Sequence, residues 1–543
     1  MSNPAKARPT RYSAATVVNT GQVIFFTFVI GLAIAGTVAW PMMAAKVTVA
    51  AVLLFFAVFV GLLKMGVWFA STRYRPPKYS MPNANDESLP LYTVFVPMYL
   101  EGSMVAPMVR GMCDLVYPKS KLRVMLLVET RERDPETRDA IDAIALPRFI
   151  EVVEVPAVKP YGKQRALDYG AHLVLQKKTA EVRNSLCVVY DAEDRPEPTQ
   201  LLKAVGMFRA YAQIDPRVIC LQARLAFSNE TSSWVSRLMW VEYAIHFEWV
   251  LPGLAHLDLV PPLGGTSNHF RLGPLQEVGI SAARLPKQAR WTGIWDIYNV
   301  TEDADLAGAI ALHGYKIAIL DSVTYEVATT KVSTLIGQRS RWLKGYIQTG
   351  LIFGRRPFRT MRSMGPIRWF VYELFLLGTP LTILFSTLSW ALTYTYFATR
   401  SPVIQQLFPV GLLYVGVVLL VFGNFALFMQ HVAAANKREG YGSVKYLWVV
   451  LCGIWQMLTV LSLAKAVYEL INPRKRHFWD KTNHGHDLHT LEVVTTAPER
   501  PRVLEPAAAG ANVIPLRTGT MRDPHLAGTG LSHRVDGGTS SIG

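Results

Sequence analysis

Cysteine is scarce in this 543-residue chain. The four that occur, Cys113, Cys187, Cys220 and Cys452, form no CxxC pair and no Cys/His cluster, so the spacings of a structural zinc centre are lacking. They read as buried thiols in a reducing compartment. Charge is also scarce: 18% of residues are charged against 50% hydrophobic. That balance points to an integral membrane protein. The charge is one-sided, with a formal net of +16. In a membrane protein such an excess belongs on the cytoplasmic side and near anionic lipid, so no nucleic-acid partner is expected. The N-terminus lacks the short apolar core and cleavage site of a secretory signal. Lys6, Arg8 and Arg11 lead into an apolar run that continues through Ala45, which reads as an anchor.

Residues 1–22 read as a cytoplasmic N-terminus and 23–70 as two spans, Val23–Ala45 and Val47–Ala70, with Lys64 near enough to one end to snorkel. A linker over 71–90, Pro-rich between Tyr74 and Asn85, carries Arg73, Arg75 and Lys78. Two crossings return it to the cytoplasm. Residues 91–350 read as a cytoplasmic catalytic domain with interfacial helices. Residues 351–471 form a second membrane region with candidate helices Trp369–Phe397, Leu407–Ala435 and Val444–Ile471. Residues 472–489 are a basic segment, and 490–543 lack an apolar period and read as disordered. The topology holds a conflict. Three crossings after the domain would put the tail outside, yet Arg474, Lys475, Arg476 and Lys481 favour inside. An inside tail is expected.

Between Leu91 and Asp321, strand-like and helix-like runs alternate. Leu91–Pro97, Leu122–Val128, Ile150–Val155, Leu186–Tyr190 and Val218–Gln222 are short β-rich runs bounded by turn residues. The alternation predicts an α/β domain with a mostly parallel sheet, binding ligands beyond the carboxyl ends of its strands. Ser232–Leu257 predicts an amphipathic helix, on the domain surface, in the membrane interface or with its apolar face in a core.

Four groups of residues carry chemistry. Asp191-Ala192-Glu193-Asp194 ends an apolar strand, where three acids are costly without a cation; a hard divalent ion bridging to a diphosphate suits them. A strand-end capping cluster would look the same in isolation. Thr301-Glu302-Asp303 offers a general base, Asp303 for preference, although acids at a helix start also serve as plain caps, with Thr301 as the cap residue. Lys159 and Lys163, in Lys159-Pro160-Tyr161-Gly162-Lys163, open a helix after a strand and suit a diphosphate; solvated surface lysines are the ordinary alternative. Gly264-Gly265-Thr266-Ser267-Asn268 is a Gly-rich turn that could admit an acceptor sugar or be only a turn. His269 has no metal-ligand partners at useful spacing. Finally, Gln338-Arg339-Ser340-Arg341-Trp342-Leu343-Lys344-Gly345 sets Gln338, Arg341 and Trp342 on one helix face. Arginine offers a fork for phosphate, and tryptophan a flat face for a sugar ring.

In this order, these motifs resemble the membrane-embedded processive β-glycosyltransferases, such as bacterial cellulose, curdlan, hyaluronan and poly-N-acetylglucosamine synthases. The resemblance covers roughly Leu91 to Gly485. It implies a nucleotide-diphospho-sugar transferase domain set between transmembrane helices. It implies an inverting, metal-dependent hexosyltransferase that moves sugar from UDP-glucose or UDP-N-acetylglucosamine to a growing polysaccharide, with coupled export through the inner membrane and accessory export proteins as possible partners. It implies Mg²⁺ or Mn²⁺ on Asp191 and Glu193, with Asp194 as the alternative ligand, and Asp303 as base beside Glu302. It further implies Gln338, Arg341 and Trp342 around the acceptor end and the diphosphate, with Gly265, Thr266 and Ser267 on the acceptor side. His477–Gly485 is similar in character to a gating segment over the nucleotide, or is a basic stretch at the membrane surface. Two departures stand out. Val96-Pro97-Met98-Tyr99-Leu100-Glu101 has Leu100 where the family has Asn. The second strand ends in Glu129-Thr130-Arg131 rather than an acidic pair, leaving Glu129 as the candidate for holding uracil. A non-processive transferase with a glycolipid acceptor shares the same motifs, and a catalytically inactive membrane scaffold is the reading of another class.

Overall fold

The computed structural model describes residues 12–177, 179–279, 291–408, 410–419, 424–437 and 445–478. An eight-stranded sheet lies at the centre of the domain: β1 (Tyr92–Met98), β2 (Leu122–Val128), β3 (Ile150–Glu154), β4 (Leu186–Val189), β5 (Arg195–Pro196), β6 (Val218–Phe227), β7 (Asn268–Arg271) and β8 (Lys316–Glu326). Its order is β3-β2-β1-β4-β7-β6-β8-β5. β3, β2, β1 and β4 run parallel, as do β6 and β8, while β7 is antiparallel to both neighbours and β5 to β8. The mostly parallel α/β expectation holds. The five expected strands are present, with β6 running on to Phe227. β7 is a difference: the Gly-rich turn runs into a strand that begins at Asn268. Its Asn-His-Phe-Arg sequence has no β-branched residue, and pairing on both sides supplies what local preference does not.

Alternate residues of the central strands enter different cores, as the two-residue repeat of a strand requires. Phe95, Met125, Leu127 and Val189 pack on one face, with Leu167 and Val174 of the Lys163–Leu175 helix and Ala307 and Ile310 of the Glu302–Leu312 helix. Val94, Val96, Leu126 and Val188 pack on the other, with Met108 and Met112 of Val105–Asp114 and Leu201 and Val205 of Gln200–Ile214. Cys187 and Cys220 are buried in this sheet, but Cys113 is exposed, which corrects its reading as a buried thiol. The side chain of Cys452 lies outside those described.

Three helices among the described residues are long and apolar enough to cross a membrane: Thr20–Ala39, Pro41–Arg73 and Pro366–Thr399. The first is capped by Asn19, whose side chain accepts from the Gln22 N–H. It stops at Trp40, before Pro41 opens the next helix, so the expected first span, Val23–Ala45, runs past a real break. The expected Leu407–Ala435 helix is described as Val410–Val418 and Asn424–Lys437. The Ser232–Leu257 stretch is helical, from Trp234 through a π-turn to His256. It is neither free surface nor simple core. It packs between β6 and the helices Met65–Arg73, Asn424–Lys437 and Lys445–Ile471. Residues 12–18 are not a free arm. Tyr12 and Ala14 are buried, Ser13 Oγ donates to Asp296 Oδ1 at 3.0 Å, and the Ala14 N–H donates to Asp296 Oδ2 at 2.5 Å. Arg355 donates to the carbonyls of Ser13 and Val17 at 3.1 and 3.2 Å. The 479–489 part of the basic segment and the 490–543 tail lie outside the described residues, as do residues 1–11.

Candidate active site

A cavity of about 1360 Å³ opens at the carboxyl ends of β1, β2 and β4 and continues to residues of the membrane-type helices. Asp191 and Glu193 line it. Asp194 does not. It is fully buried, and its Oδ2 accepts the Asp191 N–H at 2.7 Å and the hydroxyl of Thr266. Burial, then the charges of Asp191 and Glu193, hold its carboxyl well above the usual carboxylate range. Asp194 therefore shapes the turn that presents Asp191, and of the acids expected as metal ligands only Asp191 and Glu193 face the cavity.

Lys163 Nζ contacts Asp191 and donates to the Gly265 carbonyl at 2.9 Å. Burial alone would lower the Lys163 pKa; the Asp191 carboxylate outweighs it and raises it. Lys159 is exposed at the cavity rim. Gly265 has φ +79, a conformation that favours glycine. A Cβ there would lie 3.2 Å from Asp303 Oδ2, so the Gly-rich loop and the Glu302–Leu312 helix meet at the candidate base. The side chain of Gln222 fixes this loop, accepting from the Gly264 N–H at 2.8 Å and donating to the Thr266 carbonyl at 3.0 Å. Thr266 and Ser267 are buried; Ser267 Oγ donates to Thr324 Oγ1 at 2.6 Å. Of the acceptor-side loop residues, only Gly264 and Gly265 reach the cavity.

Asp303 is half-buried and accepts the Ala304 N–H at 2.7 Å. Burial raises its pKa, partly opposed by that hydrogen bond. Burial, then the Asp303 charge, pushes Glu302 up to about 7. Thr301 precedes this helix without capping it. Its side chain instead packs on Gly345, where any Cβ would overlap it.

Gln338, Arg341 and Trp342 all line the cavity from the Val332–Phe353 helix. The Arg339 guanidinium lies 4.2 Å from the Trp342 ring centre and 4.9 Å from that of Trp455. Its Nη1 donates to Glu242 Oε1 at 2.7 Å, and Nη2 sits 2.5 Å from Oε2, out of line for a hydrogen bond. Lys344 is fully buried and pairs with Glu469 at 2.7 Å; it also donates to the Phe478 carbonyl at 2.9 Å. Gln348 donates to the Arg476 carbonyl at 2.9 Å. The described start of the basic segment is thus pinned to this helix.

At the far end of the cavity, Glu129 is buried and tied to Arg165 and, at 3.1 Å, to Arg133 Nε. Among the cavity residues not anticipated are Arg133, Tyr161 and Glu326. Arg133 and Tyr161 stack with 3.4 Å between the guanidinium carbon and the ring centre. Glu326 closes β8 and faces the acid group. Burial, then the charges of Asp194, Asp191 and Glu193, raises its pKa well above the usual carboxylate range. The strand-end rule that picked out Asp191 would have found Glu326, because Lys316–Glu326 is a β-rich run ending in an acid.

The donor set fits a hard divalent cation in one specific way. Among the described residues, no three His, Cys, Asp or Glu side chains converge on a metal position. Two carboxylates, Asp191 and Glu193, face the cavity with lysine beside them. One or two carboxylates plus substrate phosphates is the usual way Mg²⁺ is held.

Residues 90–345 match the family described as "Glycosyltransferase like family 2". The sheet within them has the mostly parallel arrangement expected of a nucleotide-diphospho-sugar transferase domain. Over 260 residues the chain is 24% identical to the "Probable glucomannan 4-beta-mannosyltransferase 1" of Arabidopsis thaliana, covering 48% of this chain and 43% of that protein. Over 288 residues it is 25% identical to the "Beta-monoglucosyldiacylglycerol synthase" of a Synechocystis strain, covering 52% of this chain and 54% of that one. The chain spans about half the length of the curated relatives it matches. Among solved structures it is similar to a mannosyltransferase from Pyrobaculum calidifontis in complex with GDP-Man and Mn²⁺. There the identity is 17% and the TM-score 0.47, with 79% of this chain and 99% of that one covered.

Proposed function

We propose that this chain transfers a sugar, with inversion at the anomeric carbon, from a nucleoside-diphosphate sugar to the hydroxyl end of a growing β-linked polysaccharide at a membrane. The observation that carries this reading is one continuous cavity. Its wall includes the strand-end acids, the candidate base, the Trp342 ring and residues of two apolar helices, Phe59 and Phe375 among them. Donor chemistry, acceptor stacking and a route along the membrane helices therefore share a single space.

Asp303 takes the proton of the acceptor hydroxyl as that oxygen bonds to the anomeric carbon. The bond from this carbon to the diphosphate oxygen breaks, and the diphosphate leaves with the electron pair. Lys163, Lys159 and Arg341 meet the departing charge, and positioned charge of this kind is commonly the largest contribution to catalysis. A Mg²⁺ or Mn²⁺ ion held by Asp191 and Glu193 would neutralise the diphosphate as a Lewis acid. Burial that lifts the Asp303 pKa brings it closer to the working pH, as suits a general base. Glu302 sets the charge around Asp303 and Lys163. Arg73, Arg75 and Lys78, at and just after the end of the second apolar helix, support a domain on the cytoplasmic side of a plasma membrane.

The test is nucleotide release by purified protein supplied with donor and Mg²⁺. Asp303→Asn is expected to lower turnover at least ~100-fold while nucleotide binding persists; unchanged turnover would discard the base assignment. A second reading, a single transfer to a lipid acceptor, is favoured by the apolar part of the wall, where Leu63, Val67 and Ile383 lie. A ladder of product lengths supports the polymer; one glycolipid species supports the lipid acceptor.

A further inference from the structure

We propose that the base-reading end of the donor site is cationic and selects guanine over uracil, with Arg133 as the specificity-determining residue. The inference rests on the transferase reading above. In the order β3-β2-β1-β4, the end of β2 at Glu129 lies two strands from the end of β4, beside Asp191. At the usual strand spacing that is about 10 Å, comparable to the reach of a nucleoside diphosphate from its phosphates to its base. Glu129, Arg133, Tyr161 and Asp191 all line the same cavity.

A carboxylate at this strand end would suit uracil if it were free to accept the N3–H. Here it is engaged on both oxygens. Oε1 is held by the buried Arg165, which is itself fixed by donating to the carbonyls of Pro156 at 2.5 Å and Val158 at 3.2 Å. Oε2 is held by Arg133 Nε at 3.1 Å. Glu129 therefore acts as an anchor for two arginines, and the group offered to the base is Arg133. Its plane lies on the Tyr161 ring at 3.4 Å, with the Tyr99 ring 5.8 Å away. The Glu129 bond uses Nε, and neither terminal nitrogen makes a hydrogen bond among the described residues.

Two parallel N–H groups match two adjacent acceptors, and O6 and N7 of guanine are such a pair. In uracil, O4 and O2 are separated by N3–H, a donor that would face donors. A bidentate arginine contact to guanine discriminates by about 1–3 kcal/mol, or roughly 5- to 150-fold in affinity.

The test is binding of GDP and UDP to the full-length protein in detergent with Mn²⁺, by calorimetry. GDP is expected to bind at least ~10-fold more tightly. Arg133→Ala and Arg133→Lys should each bring the ratio towards one, the lysine variant because it keeps the charge and loses the fork. Asp191→Asn should weaken both nucleotides alike. Equal or tighter UDP binding overturns the inference, as does an Arg133→Lys variant that keeps the wild-type ratio. A protein that prefers UDP and still transfers sugar leaves the transferase reading standing. Failure to bind either nucleotide would remove both.

Discussion

The cavity wall that carries Glu129, Asp191 and Glu193 is made of strand ends, whereas the wall that carries Gln338, Arg341 and Trp342 is a single helix. The first is held by the ladder of a sheet whose central strands are buried on both faces. The second is held from outside, by ion pairs that reach elements packed beside the apolar helices. Arg339 reaches Glu242, and Lys344 reaches Glu469. A strand-end site keeps its geometry as long as the domain folds. A helix-borne site keeps its geometry only while its clamps hold, so the helix wall, proposed for the acceptor, is open to adjustment by the apolar helices, and the strand-end wall, proposed for the donor, is not.

Separating the two walls by mutation is the sharpest way to test this contrast. The largest effect is expected from Lys344→Ala. It leaves buried Glu469 only the longer, half-exposed pairing with Lys465 at 3.7 Å, a loss approaching the ~3–5 kcal/mol of a broken buried pair. Thermal unfolding in detergent should fall, and Lys344→Ala with Glu469→Leu should regain much of the loss. Nucleotide binding at the strand ends should persist in the folded fraction; its loss would show that the walls are not independent.

The donor side has its own pH signature. Asp168 accepts from the Gly293 and Ile294 N–H groups at 3.1 and 3.0 Å and from Thr292 Oγ1. Burial nevertheless pushes its pKa up to about 6, above the ordinary 3.8. The folded state thus holds a proton that the unfolded chain releases. The associated stability is full below about pH 4 and is lost as pH rises through about 6, amounting to about 3 kcal/mol. Unfolding midpoints taken from pH 4 to 7 should fall accordingly, and Asp168→Asn should flatten that slope.

Gly345 is where the helix wall meets the start of the Glu302–Leu312 helix, since Thr301 fills the place a Cβ would need. Gly345→Ala should destabilise by about 1–3 kcal/mol, the usual range for overpacking. It should also lower turnover more than nucleotide affinity, because it pushes the Val332–Phe353 helix away from Glu302 and Asp303. The smallest effect is a gain. Leu100, 44% exposed, sits at φ 53, a region that costs a leucine about 1–2 kcal/mol and suits asparagine. Leu100→Asn should raise the melting temperature slightly without changing activity.

Much of the strand-end wall was legible in the chain itself. Strand-length apolar runs ending in acids announce both a parallel sheet and the place where it binds. What stayed hidden depends on distant partners. Nothing local marks Asp194, Thr266 and Ser267 as turned inwards; that follows from the pairing of β7 with β4 and β6. Arg133 sits beyond the end of β2 in a charge-rich stretch, and its stacking on Tyr161 joins loops 28 residues apart in sequence. Leu100 was visible as a departure from its family's asparagine, but only the left-handed backbone explains why asparagine belongs there. The break at Trp40 escaped because hydropathy runs straight across it.

The anchoring of residues 12–18 on Asp296 bears on how the protein is handled at the bench. Asp296 precedes Thr301 by five residues in a buried loop, so the chain ahead of the first apolar helix packs against the loop that leads to the candidate base. An affinity tag or fluorescent fusion belongs ahead of Tyr12. A truncation trimmed back to the helix start at Thr20, a natural choice for a tidy expression clone, would remove Ser13 and Ala14 and leave a buried carboxylate without two of its donors.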